Sequence, residues 1–148
     1  MTRWIRFEHE GRAQFGTLEG DTIAIHEGDL FAAPRPTGAR ASLASVKLLT
    51  PCVPTKMVAL WNNFRALAAK LGQAEPPEPL WFMKANSSFH PGGQPIRNPA
   101  GFGGKVIFEG ELGIVIGKRT ARVSEADAPA HIFGYTCVND VTAVDILK

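Results

Sequence analysis

Val106-Ile107-Phe108-Glu109-Gly110-Glu111-Leu112-Gly113-Ile114-Val115-Ile116-Gly117 sets two carboxylates, two residues apart, in an apolar run rich in β-branched side chains. Such a run reads as a strand. Alternate side chains of a strand share a face, so Glu109 and Glu111 project the same way, with Cα atoms about 7 Å apart. Two like charges on a half-buried strand are costly unless a positive group lies between them. A divalent cation is one such group. By spacing alone, two solvent-facing glutamates on an edge strand describe the same residues, and that is the commoner case.

Downstream, Phe133 to Val138 reads as another strand, its Tyr135-Thr136-Cys137-Val138 running into Asn139-Asp140. Glu109, Glu111 and Asp140 together make an oxygen-only donor set, suited to Mg²⁺, Mn²⁺ or Ca²⁺ rather than zinc. Three protein ligands on a six-coordinate ion leave room for water and a chelating substrate, the arrangement of a Lewis-acid catalyst. Between the two strands, Ser124-Glu125-Ala126-Asp127 has the form of a capping box with Asp in place of the usual Glu, opening a short helix over 128–132. Pro129 fits there because it falls in the first turns.

Upstream lies a polar loop over 85–104 with Ser87, Ser88, His90 and three prolines, and loops of that length in a compact domain commonly carry function. His90 is either an acid or base beside a metal or a solvated loop histidine. Lys84, at the end of the predicted strand 80–84, either pairs with a substrate carboxylate or is an ordinary strand-end lysine. Ser87 and Ser88 can donate to the same anion, although Ser-Ser is also ordinary turn chemistry. Before them, 56–61 reads as a buried strand, and Asn62 and Asn63 can cap a helix whose Phe64, Leu67, Ala68 and Leu71 fall on one face. Gly72 ends that helix. Arg65 projects from its first turn, toward the pocket or toward solvent. Trp61, Phe64 and Trp81 are assigned to the core, and no Gly-x-Ser-x-Gly elbow supports a serine nucleophile.

At the other end of the chain, apolar and polar residues alternate over 4–8, 13–18 and 22–26, broken by Glu10-Gly11 and Glu19-Gly20-Asp21, which predicts an antiparallel meander. Residues 35–45, rich in Pro, Gly, Ala and Ser, read as a connector. The expected organisation is a small β-rich N-terminal domain over 1–50 and a second domain over 51–148. The chain is 45% hydrophobic and 20% charged, the composition of a globular protein with one sizeable core. A formal charge of +2, with basic residues never clustered beyond pairs, argues against nucleic acid as a partner. No apolar run approaches the ~20 residues of a membrane span. Cys52 and Cys137 lack both a CxxC spacing and a disulfide-scaffold density, so they read as reduced thiols of a cytoplasmic protein.

The blocks from Phe108 to Lys118, His131-Ile132-Phe133-Gly134-Tyr135-Thr136 and Asn139-Asp140-Val141-Thr142-Ala143-Val144-Asp145, with Asn63-Phe64, Phe82-Met83-Lys84 and Ser87-Ser88, resemble the fumarylacetoacetate hydrolase family. The resemblance implies a mainly β fold with a few short helices, the first part of a mixed β-sandwich roll. It implies Glu109, Glu111 and Asp140 as ligands of Mg²⁺ or Mn²⁺. It also implies a small 2-oxo dicarboxylic or diketo acid as substrate, and a homodimer at full length. Within the family, Leu60-Trp61-Asn62-Asn63-Phe64 and the run from Val141 to Leu147 resemble the 2-hydroxyhepta-2,4-diene-1,7-dioate isomerase branch of aromatic-compound breakdown.

Two departures shape the expected chemistry. Where hydrolytic members carry a water-activating His and, a turn later, Glu, this chain has Leu67 and Lys70. Leucine exchanges no proton, so isomerisation or decarboxylation is favoured over acylpyruvate hydrolysis, which stands as the alternative. Val144 replaces a common family arginine. Members also continue past the Asn-Asp block, so the sequence resembles the N-terminal portion of a catalytic domain. An inactive truncated fragment or interaction module is the reading from a different functional class, because half a roll exposes strand edges.

Overall fold

The computed structural model describes residues 1–146. Leu147, the last residue of the branch motif, and Lys148, the last of the expected second domain, lie outside them. The alternating N-terminal runs form β1 (Trp4–His9), β2 (Arg12–Glu19) and β3 (Thr22–Glu27), an antiparallel meander turned at Gly11 and Gly20, both at positive φ. Two more strands complete the sheet, β4 (Arg35–Ser42) and β5 (Lys47–Leu48), in the order β4-β3-β2-β1-β5. Phe7 and Ile23 are fully buried here, each stabilising the fold by roughly 1.5–3 kcal/mol.

β4 corrects the expectation of a connector over 35–45. An edge strand needs only backbone pairing on one side, so an almost wholly exposed Arg-Pro-Thr-Gly-Ala-Arg run can serve. Pro36 sits beside the irregularity in the β3–β4 register, where a missing N–H is tolerated.

The rest of the chain builds three two-stranded antiparallel ladders. β6 (Met57–Trp61) pairs with β7 (Leu80–Lys84), placing Met57 opposite Lys84. Between them runs α1 (Arg65–Lys70), a helix of under two turns. It is capped by Phe64 without a side-chain hydrogen bond, so the expected Asn62 and Asn63 caps are not made. Asn62 instead takes positive φ and donates from Nδ2 to the carbonyl of Ala74. The predicted stop at Gly72 is present: the Gly72 N–H reaches Ala69 O at 3.2 Å and the Gln73 N–H reaches Ala68 O at 2.9 Å, the paired bonds of a left-handed C-terminal cap.

The opening stretch is not one strand. It forms β8 (Val106–Ile107) and β9 (Gly110–Ile116), interrupted at Phe108 and Glu109. β9 pairs with β10 (Ile132–Asn139), and β8 pairs with β11 (Thr142–Ala143). The two ladders keep one register, Asn139 opposite Gly110 and Thr142 opposite Ile107, and the gap between them is spanned by the Asp140 N–H donating to the Glu109 carbonyl. Ser124 and Asp127 make the expected box contacts, with Asp127 N–H donating to Ser124 Oγ, and a 3₁₀ turn follows over Ala128–His131.

Phe133 stacks edge-on against Phe31 at 5.0 Å and lies 6.4 Å from Trp4, seating β10 on the N-terminal sheet. Away from that seam apolar burial is sparse. Ala68 is the only buried residue of α1, and Trp61, Phe64, Leu67 and Trp81 are all exposed, which corrects their assignment to the core. Their helical and strand periodicity is real, yet no other described element covers that face.

Candidate metal and substrate site

Glu109 and Glu111 keep the same-side placement expected of them even though the strand is broken. Both are half-buried, whereas Phe108, Gly110 and Leu112 are exposed. Glu111 lies opposite Val138 in the β9–β10 register, two residues before Asp140. The Asp140 N–H donates to the carbonyl of Glu109 at 2.9 Å, so the two ligand-bearing segments are pinned to each other. Asp140 and Glu109 are close enough to act on Glu111. Its carboxyl is held above its ordinary value, first by desolvation, then by the charges of Asp140 and Glu109, against the opposing pull of Lys84.

Lys84, arriving from the end of β7, donates from Nζ to Asp140 Oδ1 at 2.6 Å. Among the described residues this is the sheltered ion pair, with side chains 23% and 11% exposed, in contrast to the open pairs Arg35–Glu27 and Arg65–Glu75. The Lys84 ammonium also stands 5.2 Å from the centre of the Phe82 ring. Thr142, which spacing did not single out, donates from Oγ1 to Glu109 Oε1 at 3.1 Å. Its place two residues after Asp140, on the same side of extended chain, was the available sequence signal.

The remaining expected residues stand differently. Arg65 binds Glu75 at 3.0 Å and lines an open groove with Asn62, Asn63 and the Pro76-Pro77 segment, whose lining includes none of the three carboxylates. Ser88 donates to Ala85 O at 2.7 Å within a 3₁₀ turn that also contains Ser87, and both hydroxyl residues are exposed. The turn is tied to the approach of β6 by Asn86 Nδ2 donating to Thr55 O. His90 is exposed, with Nδ1 at 3.0 Å from Pro91 O. With the proton assigned to Nδ1 for that bond, Nε2 is the proton acceptor.

Among the described residues no three His, Cys, Asp or Glu side chains close to ligating distance of one point. The donor chemistry nevertheless fits a hard divalent cation. Three carboxylates and one ammonium gather here, and the Glu111 carboxyl, raised first by desolvation and then by Asp140 and Glu109, is a group that a bound cation would relieve.

Residues 56–148 match the family model described as fumarylacetoacetate (FAA) hydrolase C-terminal, and residues 2–51 match the one described as Rv2993c-like, N-terminal. The chain belongs to the fumarylacetoacetate hydrolase family. It is 36% identical over 139 residues to the oxaloacetate tautomerase YisK of Bacillus subtilis, covering 88% of this chain and 46% of that one. It is 41% identical over 115 residues to protein Rv2993c of Mycobacterium tuberculosis, covering 78% and 43%. Among solved structures, the 2-hydroxyhepta-2,4-diene-1,7-dioate isomerase of Mycobacterium marinum superposes with a TM-score of 0.83 at 35% identity, over 98% of this chain and 56% of that one. The chain thus spans about half the length of the relatives it matches. The superposition bears out the mainly β fold with few helices.

Proposed function

We propose that this chain carries the metal-binding half of an enzyme that isomerises small 2-oxo dicarboxylic acids, with keto–enol tautomerisation or a double-bond shift as its reaction. The observation behind the proposal is the convergence of Glu109 and Asp140 on Glu111, with the Lys84 ammonium paired to Asp140 beside them. The tautomerase and isomerase names of the similar proteins support the reaction class. Glu109, Glu111 and Asp140 would hold Mg²⁺ or Mn²⁺, and a bound ion of this kind polarises a carbonyl and stabilises negative charge on oxygen.

The chain's own residues supply the rest. Lys84, paired to Asp140, reaches the site from the end of β7 and binds the carboxylate of the acid substrate. His90 accepts or returns a proton at Nε2. Ser87 and Ser88, at the foot of the same loop, and Arg65 are the further anion-binding candidates. Leu67 and Lys70 offer no water-activating pair, which favours isomerisation or decarboxylation over acylpyruvate hydrolysis. Aromatic-compound breakdown, a cytoplasmic location and a full-length homodimer complete the proposed setting.

Calorimetric titration with Mn²⁺ tests the site. Glu111→Ala is expected to abolish the binding isotherm, and affinity equal to that of the unsubstituted protein sinks the ligand assignment. A screen of 2-oxo acids, following enol absorbance with Mn²⁺ and with chelator, tests the reaction; decay of the oxaloacetate enol unaffected by chelation would overturn the metal's role.

A further inference from the structure

Thr142 occupies a position where the backbone asks for nothing but extended chain. It pairs with Ile107 across the β8–β11 ladder, and a valine would suit that pairing as well as a threonine. What distinguishes threonine is its hydroxyl, and the hydroxyl is committed: half-buried, it donates to Glu109 Oε1 at 3.1 Å across 33 residues of sequence. The same short segment grips Glu109 a second time, through the Asp140 N–H to Glu109 O bond of 2.9 Å. Glu109 lies between β8 and β9, where the Asp140 bond holds its backbone but leaves its side-chain torsions free. Its side chain is aimed by the Thr142 contact.

We infer that Thr142 is a positioning residue for the metal ligand Glu109. Its hydroxyl donates to one carboxylate oxygen and so fixes the carboxylate plane with which Glu109 would hold the cation. Asp140 and Thr142, two residues apart and on the same side of extended chain, then divide the work: one contributes a ligand, the other orients the ligand from the facing segment. Thr142 touches neither cation nor substrate in this role. The inference rests on the metal reading proposed above.

The test is Mn²⁺ titration by calorimetry of the full chain and of Thr142→Val and Thr142→Ser. Loss of a hydrogen bond that orients a metal ligand is expected to weaken affinity about 10- to 100-fold in Thr142→Val. Thr142→Ser, which restores the hydroxyl, is expected to remain within a few-fold of the unsubstituted chain. Near-UV circular dichroism verifies the fold of Thr142→Val, and Thr142→Ala replaces it in the titration if it unfolds. Equal affinity in the hydroxyl-free variant overturns the inference while leaving the metal site standing. Equal weakening in Val and Ser also overturns it, because packing rather than the hydroxyl would then be responsible. An unsubstituted chain that binds no Mn²⁺ overturns the metal reading, and this inference with it.

Discussion

Glu111 is destabilised by its own neighbours, and the direction of that effect is measurable. Its carboxyl is raised by desolvation and by Asp140 and Glu109, so the fold prefers the neutral acid. The stability this preference contributes is fully present below the ordinary value of 4.5 and is lost as pH rises through the folded value. At pH 7 in chelator, Glu111→Gln is therefore expected to be more stable than the unsubstituted chain by about a few tenths of a kcal/mol, solvent screening a side chain that is only part-buried. Urea melts at pH 7 and pH 3.5 check this: the advantage should shrink at the lower pH, and a Gln variant less stable at pH 7 contradicts it. The two thiols differ in a related way. Burial raises Cys52, with Arg6 pulling the other way, whereas Cys137 is exposed on β10. At pH 8, iodoacetamide mass spectrometry should find Cys137 modified first. At this scale the carboxylates were legible in the sequence, since acidic residues in an apolar run stand out. Thr142 was less so, because its one cue is a place two residues after Asp140, and its contact with Glu109 spans 33 residues of sequence.

Elements that bury a face were easier to read than elements held by backbone alone. The first three strands alternate, and they form as expected. β4 escaped notice because its Pro, Gly and Arg carry no alternation and its pairing with β3 is made by peptide groups. The break between β8 and β9 has no such signal: 106–117 is uniformly apolar apart from the glutamates, and the same register runs through both ladders on either side of the gap. One glycine in β9 has a specific task. A Cβ at Gly113 would stand 2.8 Å from Val138 Cγ2 and 2.9 Å from Thr136 Cγ2, two β-branched side chains on the facing strand. Neither can swing aside freely. Gly113→Ala is expected to cost about 1–3 kcal/mol. Thermal unfolding measures this, and a melting temperature within a degree of the unsubstituted chain would show that β10 yields.

At the scale of the molecule, the N-terminal sheet and the three ladders are held by different means. The sheet has Phe7 and Ile23 fully buried, but the outward face of β9 and β10 presents Leu112, Ile114, Ile116 and Tyr135 to solvent, and both strands of the β6–β7 ladder are largely exposed. Apolar patches of this kind favour self-association. The 148-residue chain is expected to bind a hydrophobic dye and to associate at micromolar concentration, and Ile114→Lys should reduce both; sedimentation of a dye-negative monomer would contradict the expectation. Core assignments such as Trp61 and Trp81 failed at this scale because periodicity reports that a side of an element is apolar and says nothing of what covers it. Lys84 comes from the β6–β7 ladder, Glu111 from the β9–β10 ladder, and Thr142 from β11, so the polar cluster touches every ladder of the second part of the chain. With so little grease between the ladders, that cluster works as a clasp. The residues offered for chemistry are also the fastening, and a salt concentration or substitution that loosens Lys84 from Asp140 would slacken the architecture along with the site.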